Sequence, residues 1–196
     1  MESYPKTIKI IQEQLEKLPG IGPKSAERII NFLLKSDSAF INEFAENLKK
    51  LKTTIRLCRN CFNITENEIC SICQDKGRKK VLAIVEEVKD LISMEKAGFD
   101  GYYHVLGGRI SPIEKIGPEQ LNIQFIFDRL NNENFEEIII ATNATPEGEI
   151  TANYLTKLFS EKNKISRLAY GIPVGSEIEY IDPKTLKQSI ENRRKF

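Results

Sequence analysis

The chain has 196 residues, 40% of them apolar, and a formal net charge of +1. That length supports one domain or two small ones with a real core, and so small a charge argues against a generic polyanion binder. No apolar run approaches the roughly 18 residues a membrane helix needs, and MESYPKTIK lacks the apolar segment of a secretory signal, so a cytoplasmic protein with no membrane contact is expected.

From Thr7 to Lys17 and the residue after it, Ile8, Ile11, Leu15 and Leu18 recur at helical spacing, and Ser25 to Lys35 does the same with Ala26, Ile29, Ile30 and Leu33. Between them lies LPGIG, and Pro23 suits a first helical turn, so the pattern is a helix-hairpin-helix. Gly20 and Gly22 are expected to take positive φ and to leave the turn amides open to an anion, with the leucine and isoleucine of LPGIGPKSAERI as inward plugs. Lys24 and Arg28, one turn apart, add two cations, so Lys24, Arg28, Gly20 and Gly22 are the candidate DNA contacts. Nothing in the stretch reads base edges, which makes the binding sequence-independent. One hairpin meets about two or three phosphates, each contributing a slope of about −0.9 in log K against log salt, so useful affinity calls for several hairpins on one oligomer. A plain helical hairpin whose glycines only permit the turn is the competing reading. A third helix is expected over Ser38 to Leu51 with Phe40, Phe44, Leu48 and Leu51 inward.

Charge is unevenly spread: Met1 to Lys80 carries 15 basic and 10 acidic residues, the remainder 14 and 18. This permits a nucleic-acid footprint on the N-terminal part. The four cysteines follow as Cys58, Cys61, Cys70 and Cys73 in C-x2-C-x8-C-x2-C. Two such knuckles facing each other present four sulfurs to one tetrahedral zinc, and with no open position the metal is structural. Disulfides are the alternative, disfavoured in a reducing compartment.

After the GRKK linker at Gly77 to Lys80 the pattern changes. VLAIVE, YYHVLGG, FEEIIIATN and KISRLAYGIPVG read as strands; Glu87 to Lys96, PEQLNIQFIFDRLNN and Glu149 to Ser160 read as helices between them. That alternation predicts a mainly parallel sheet covered by helices. His104, the single histidine, is expected to be a buried hydrogen-bonding residue. GIPVGSEIE lacks the spacing and lysine of a phosphate-binding loop, and the RRK run at Arg193 to Lys195 reads as a solvated tail.

LPGIGPKSAERI, CRNC with CSIC, VEEVKD, YHVLGGRISPIEKIGP, ATNATPEGE and GIPVGSEIEYID together resemble the bacterial RecR family of recombination mediators over nearly the whole chain. The resemblance implies an α/β multi-part fold: a helix-hairpin-helix over 1–54, a four-cysteine zinc finger and linker over 55–80, a Toprim domain over 81–172 and a C-terminal oligomerisation segment over 173–196. It further implies a non-enzymatic role in DNA repair, helping to load the recombinase on gapped single-stranded DNA with RecO and RecF. Family members form dimers through their N-terminal helices and C-terminal ends, closing into a tetrameric ring. Toprim enzymes hold magnesium with a glutamate after the first strand and a D-x-D pair after a later one. Glu86 matches the glutamate and Asp90 keeps the acidic position four residues on, but Asn143 and Thr145 stand in place of the aspartates. Glu86, Glu147 and Glu149 form a possible acidic cluster for a metal or a partner, although the last two can equally favour a helix N-terminus. A metal-dependent Toprim nuclease or primase-like enzyme using those three glutamates is the alternative function, and an adaptor that never meets DNA is a third.

Overall fold

The amphipathic N-terminal segments form three helices in the computed structural model, which describes residues 4–160, 163–169 and 171–193. They are α1 (Lys6–Glu16), α2 (Pro23–Lys35) and α3 (Ser38–Thr53). Residues 1–55 make one unit and 56–196 a second. In the first, Ala26 and Ile30 of α2 are buried. The Asp37 carboxylate caps α3 by accepting the Phe40 amide at 2.7 Å. The inward placement expected for α3 does not hold. Phe40, Phe44, Leu48 and Leu51 are 42–58% exposed, because one chain offers this apolar stripe no partner surface. Leu18 is likewise 51% exposed rather than an inward plug.

The second unit begins with a short antiparallel ribbon, β1 (Arg56–Leu57) and β2 (Ile64–Thr65), followed by the single-turn α4 (Ser71–Gln74). The sheet domain then runs β3 (Val81–Val85), α5 (Val88–Lys96), β4 (Tyr102–Val105), α6 (Gln124–Asn132), β5 (Glu137–Ile140), α7 (Pro146–Phe159) and β6 (Ile165–Arg167), ending in α8 (Pro183–Glu191). Its four strands are all parallel in the order β4-β3-β5-β6, with Ile84 in register with both His104 and Ile140. The short strands are apolar because both faces are covered. Ile84, Ile138 and Ile140 pack beneath Ile126 of α6 and Leu155 of α7, while Ala83, Val85, Tyr103 and Val105 pack beneath Leu91 of α5 and Phe62 and Ile72 of the cysteine module.

Three boundaries differ from the periodicity. PEQLNIQFIFDRLNN opens with a 3-10 turn, Pro118–Gln120, and becomes α-helical only at Gln124, because Leu121 takes an extended conformation to bury its side chain. Helix α7 starts at Pro146 instead of Glu149, since the Thr145 hydroxyl accepts the Gly148 amide and Pro146 presets the first turn. The fourth strand shrinks to Ile165–Arg167. Residues 194–196, including most of the RRK run, lie outside the described residues.

His104 is fully buried in β4, and Nε2 lies 2.9 Å from the Asn122 carbonyl, so Nε2 carries the proton and donates it. Nδ1 finds no hydrogen-bond partner among the described residues. Burial pushes the imidazole down to about 4 from its ordinary 6.5. Between those values the unfolded chain binds the proton and the folded chain does not, so stability falls as pH drops through that window, by up to about 3 kcal/mol. His104→Gln keeps a donor for Asn122 and removes the titration. In urea unfolding at pH 5 to 7, wild-type stability is expected to fall towards pH 5 relative to the variant; parallel curves would disprove it.

Candidate functional site

The hairpin turn is set by Gly20, whose φ of +78° lies in the left-handed region that glycine adopts without strain. Gly22 departs from expectation: with φ −96° and ψ 177° it is extended and acts as the N-cap of α2. It needs no positive φ because the reversal is completed at Gly20, and a Cβ at either glycine would meet open space. Their shared effect is therefore an uncovered turn. The Ala26 amide makes the first intrahelical bond, to the Gly22 carbonyl at 2.9 Å, and helix geometry leaves the amides of Lys24 and Ser25 without an intrahelical acceptor. Lys24 and Arg28 are both exposed on this end of α2. Amides, helix dipole and two cations thus sit on one element, a suitable arrangement for a phosphate.

The Cys58, Cys61, Cys70 and Cys73 sulfurs are buried and lie within 4.8 Å of one another. Four sulfurs bound to zinc at about 2.3 Å sit about 3.8 Å apart, so the cluster fits the metal. Local geometry serves the same end. Phe62, just after the first knuckle, takes a φ of +62° that turns the chain back, and the Cys70 amide points at Cys58 Sγ at 3.3 Å. So closely spaced, the sulfurs share protons: hydrogen bonds from Cys61 and Cys73 hold the Cys70 thiol below the ordinary range, while hydrogen bonding to Cys70 and burial push Cys61 and Cys73 above it. The chain binds one structural zinc.

At the carboxyl edge of the sheet, Glu86 is 1% exposed and both its oxygens are engaged by one residue: Oε1 accepts the Asn143 amide at 2.9 Å and Oε2 the Asn143 side-chain Nδ2 at 2.7 Å. Thr145 caps α7, and Asp90 accepts the Glu87 amide at 2.8 Å in a capping box on α5. Gly148 is obligatory here, since a Cβ would fall 2.0 Å from the Asn143 carbonyl oxygen and 2.9 Å from Glu86 Oε1. Glu147 and Glu149 lie in the first turn of α7, and Arg167 at the end of β6 binds Glu149 Oε1 at 2.5 Å and Thr142 Oγ1 at 2.9 Å. Among the described residues only the four cysteines bring three or more possible metal ligands together; Glu86, Glu147 and Glu149 do not.

Three arginines were not legible as functional. Besides Arg167, Arg78 forms a bidentate pair with Glu95 (2.6 and 2.8 Å) that clamps the linker after the cysteine module to α5, while Arg129 is buried between that module and β4. For Arg129 a signal existed: it sits three residues after the buried Ile126, a core position of α6 where an unpaired charge is not tolerated.

Family models match in the order of these parts: the RecR helix-hairpin-helix over residues 9–52, the RecR four-cysteine zinc finger domain over 55–75, the Toprim domain over 80–169 and the RecR C-terminal model over 171–194. Curated proteins named Recombination protein RecR are similar along all or nearly all of their length. The one from Prochlorococcus marinus is 40% identical over all of both chains, that from Carboxydothermus hydrogenoformans 47% over 93% of each, and that from Lactococcus lactis 44% over 97% of this chain and 98% of its own. The uncovered helix-hairpin-helix turn, the four-sulfur cluster and the parallel sheet, in that order along one chain, place this protein in the RecR family of recombination proteins.

Proposed function

We propose that the protein is a non-enzymatic recombination mediator that holds the DNA sugar-phosphate backbone without reading its sequence. Lys24 and Arg28 carry the reading: both are exposed on α2, behind a turn with no side chain to shield its amides. Two cations and a few amides neutralise about two phosphates, a weak and readily screened grip. Repetition makes it useful, and the chain carries surface for self-association. In the helical unit Phe32, Phe40, Phe44, Leu48 and Leu51 are all 42–60% exposed, and in the second unit Ile178, Tyr180 and Ile190 near the C-terminus are 56–79% exposed. Such stripes are costly in water and support burial between copies, in dimers closing to a tetrameric ring. RecO and RecF are the proposed partners, acting with the protein at gapped single-stranded DNA, and the sheet-edge residues Glu147 and Glu149 lie on the face proposed to meet a partner, with Glu86 buried behind it.

The non-catalytic reading of the Toprim domain is supported by Glu86. Glu86 is buried and each of its oxygens accepts a hydrogen bond from Asn143, so its charge is stabilised without a metal. The neutral amide takes the role that a cation and two aspartates have in the enzymes.

Three outcomes are expected. Lys24→Ala with Arg28→Ala should weaken binding to labelled DNA of any sequence by about tenfold or more and lower the log–log salt slope by about 2, measured by anisotropy across a salt titration; an unchanged slope would leave only an adaptor role. Phe40→Asp with Phe44→Asp should lower the mass seen by light scattering. Glu86→Gln sets an amide against the Asn143 amide and should cost about 1–3 kcal/mol of stability with no change in DNA integrity, whereas Mg²⁺- or Mn²⁺-dependent cleavage by wild type that vanishes in the variant would establish the enzyme instead.

A further inference from the structure

We propose that Arg129 is a positioning residue of the zinc–thiolate centre: it holds the Cys73 thiolate, balances the centre's charge and makes metal occupancy and the closed edge of β4 depend on each other. Arg129 is only 5% exposed, yet guanidinium stays ionised in any protein environment, so it must be met by negative charge or by carbonyl dipoles on every side. Each nitrogen is accounted for. Nη2 lies 3.8 Å from Cys73 Sγ, Nη1 donates to the Tyr103 carbonyl, and Nε donates to Glu133 Oε1 at 3.1 Å; the guanidinium also lies over the Phe135 ring, 5.4 Å from its centroid.

These partners belong to two structures, the cysteine module and the edge of the sheet. Cys73 is in α4 of the cysteine module, whereas Tyr103 is in β4, the outer strand of the sheet. The carbonyl of Tyr103 and the amide of Val105 face away from β3, so the sheet leaves both without a ladder partner. Arg129 takes the first, and the Cys61 carbonyl, from the other knuckle, accepts the second at 2.8 Å. Zinc ligands on both knuckles are thereby tied to one strand edge, one through its backbone and one through this arginine.

Charge explains why the residue is arginine. Four thiolates around one Zn²⁺ leave about two negative charges in excess, in a cluster that is itself buried. Glu133 meets only Nε and is itself partly exposed to water, so the Nη2 edge of the guanidinium is left facing the thiolate excess. A hydrogen bond to a metal-bound sulfur steadies the ligand, and loss of such outer partners costs about 10–100-fold in metal affinity in other proteins. Lysine cannot reproduce it, because a single ammonium does not span Cys73, Tyr103 and Glu133 at once.

The test uses the full-length zinc-loaded protein and two readouts. With a chromogenic chelator in excess, Arg129→Met should release zinc about tenfold faster than wild type, and Arg129→Lys should fall between them. In the Co²⁺-substituted protein the sulfur-to-cobalt charge-transfer band should move to lower energy in Arg129→Met, since a sulfur that loses a hydrogen bond gives up its electron more readily. Arg78→Met, which loosens the neighbouring clamp without touching sulfur, should leave that band in place. Should Arg129→Met not fold, Arg129→Lys decides by its release rate. Wild-type release with an unshifted band in the folded variant, or an equal shift in Arg78→Met, would overturn the proposal.

Discussion

The outer edge of β4 is the constraint on which the second unit depends. A strand buried on both faces still exposes a row of amides and carbonyls along its free edge, and unmet polar groups there cost stability and invite pairing with other chains. Here the row is covered by the zinc module together with α6: Cys61 meets Val105, Arg129 of α6 meets Tyr103, and the Tyr102 hydroxyl donates to the Asp75 carbonyl at 2.7 Å just beyond the last knuckle. A segment of about twenty residues with few apolar side chains becomes a lid for a sheet because metal, rather than a core of its own, fixes its shape. Phe62, turned by its left-handed backbone, then lies against His104 and Phe125, with ring centroids 5.4 and 5.0 Å apart.

The opposite treatment is given to the carboxyl edge. In parallel α/β sheets that edge is where ligands collect, because strand ends and helix N-termini converge there. In this chain several polar groups there are engaged within the fold: Glu86 to Asn143, Thr145 to the start of α7, Asp90 to the start of α5, Arg167 to Glu149 and Thr142. The Glu86 carboxylate is met by the Asn143 amides, and the Gly148 backbone packed against it leaves little space between them. What remains for contact lies on the rim, in the first turn of α7.

The helical unit follows a third logic. It contains few buried residues, and its third helix buries none. A unit so thin gains stability if its exposed stripe is covered, so the proposed self-association would link folding to assembly and assembly to the number of hairpins that can meet one DNA molecule.

The sequence by itself determined the parts. Cysteine spacing identified the zinc ligands, glycine and proline placed the hairpin, and the alternation of apolar runs with amphipathic segments gave a parallel sheet, because these signals are local and have few physical alternatives. His104 was also legible as a buried hydrogen-bonding residue. Tertiary structure alone decided which polar groups meet. In sequence Asn143 is merely a missing aspartate, whereas the fold directs its two donors to the Glu86 carboxylate, and Gly22 reads as a second left-handed glycine, whereas the turn closes at Gly20. The stripe of α3 reads as core in any helical projection, yet periodicity records only that a face is apolar and not whether the same chain covers it. Arg129 could be placed on a buried face of α6 from its spacing, but its contact with Cys73 spans 56 positions, and only the folding of the zinc module onto the sheet edge brings them together.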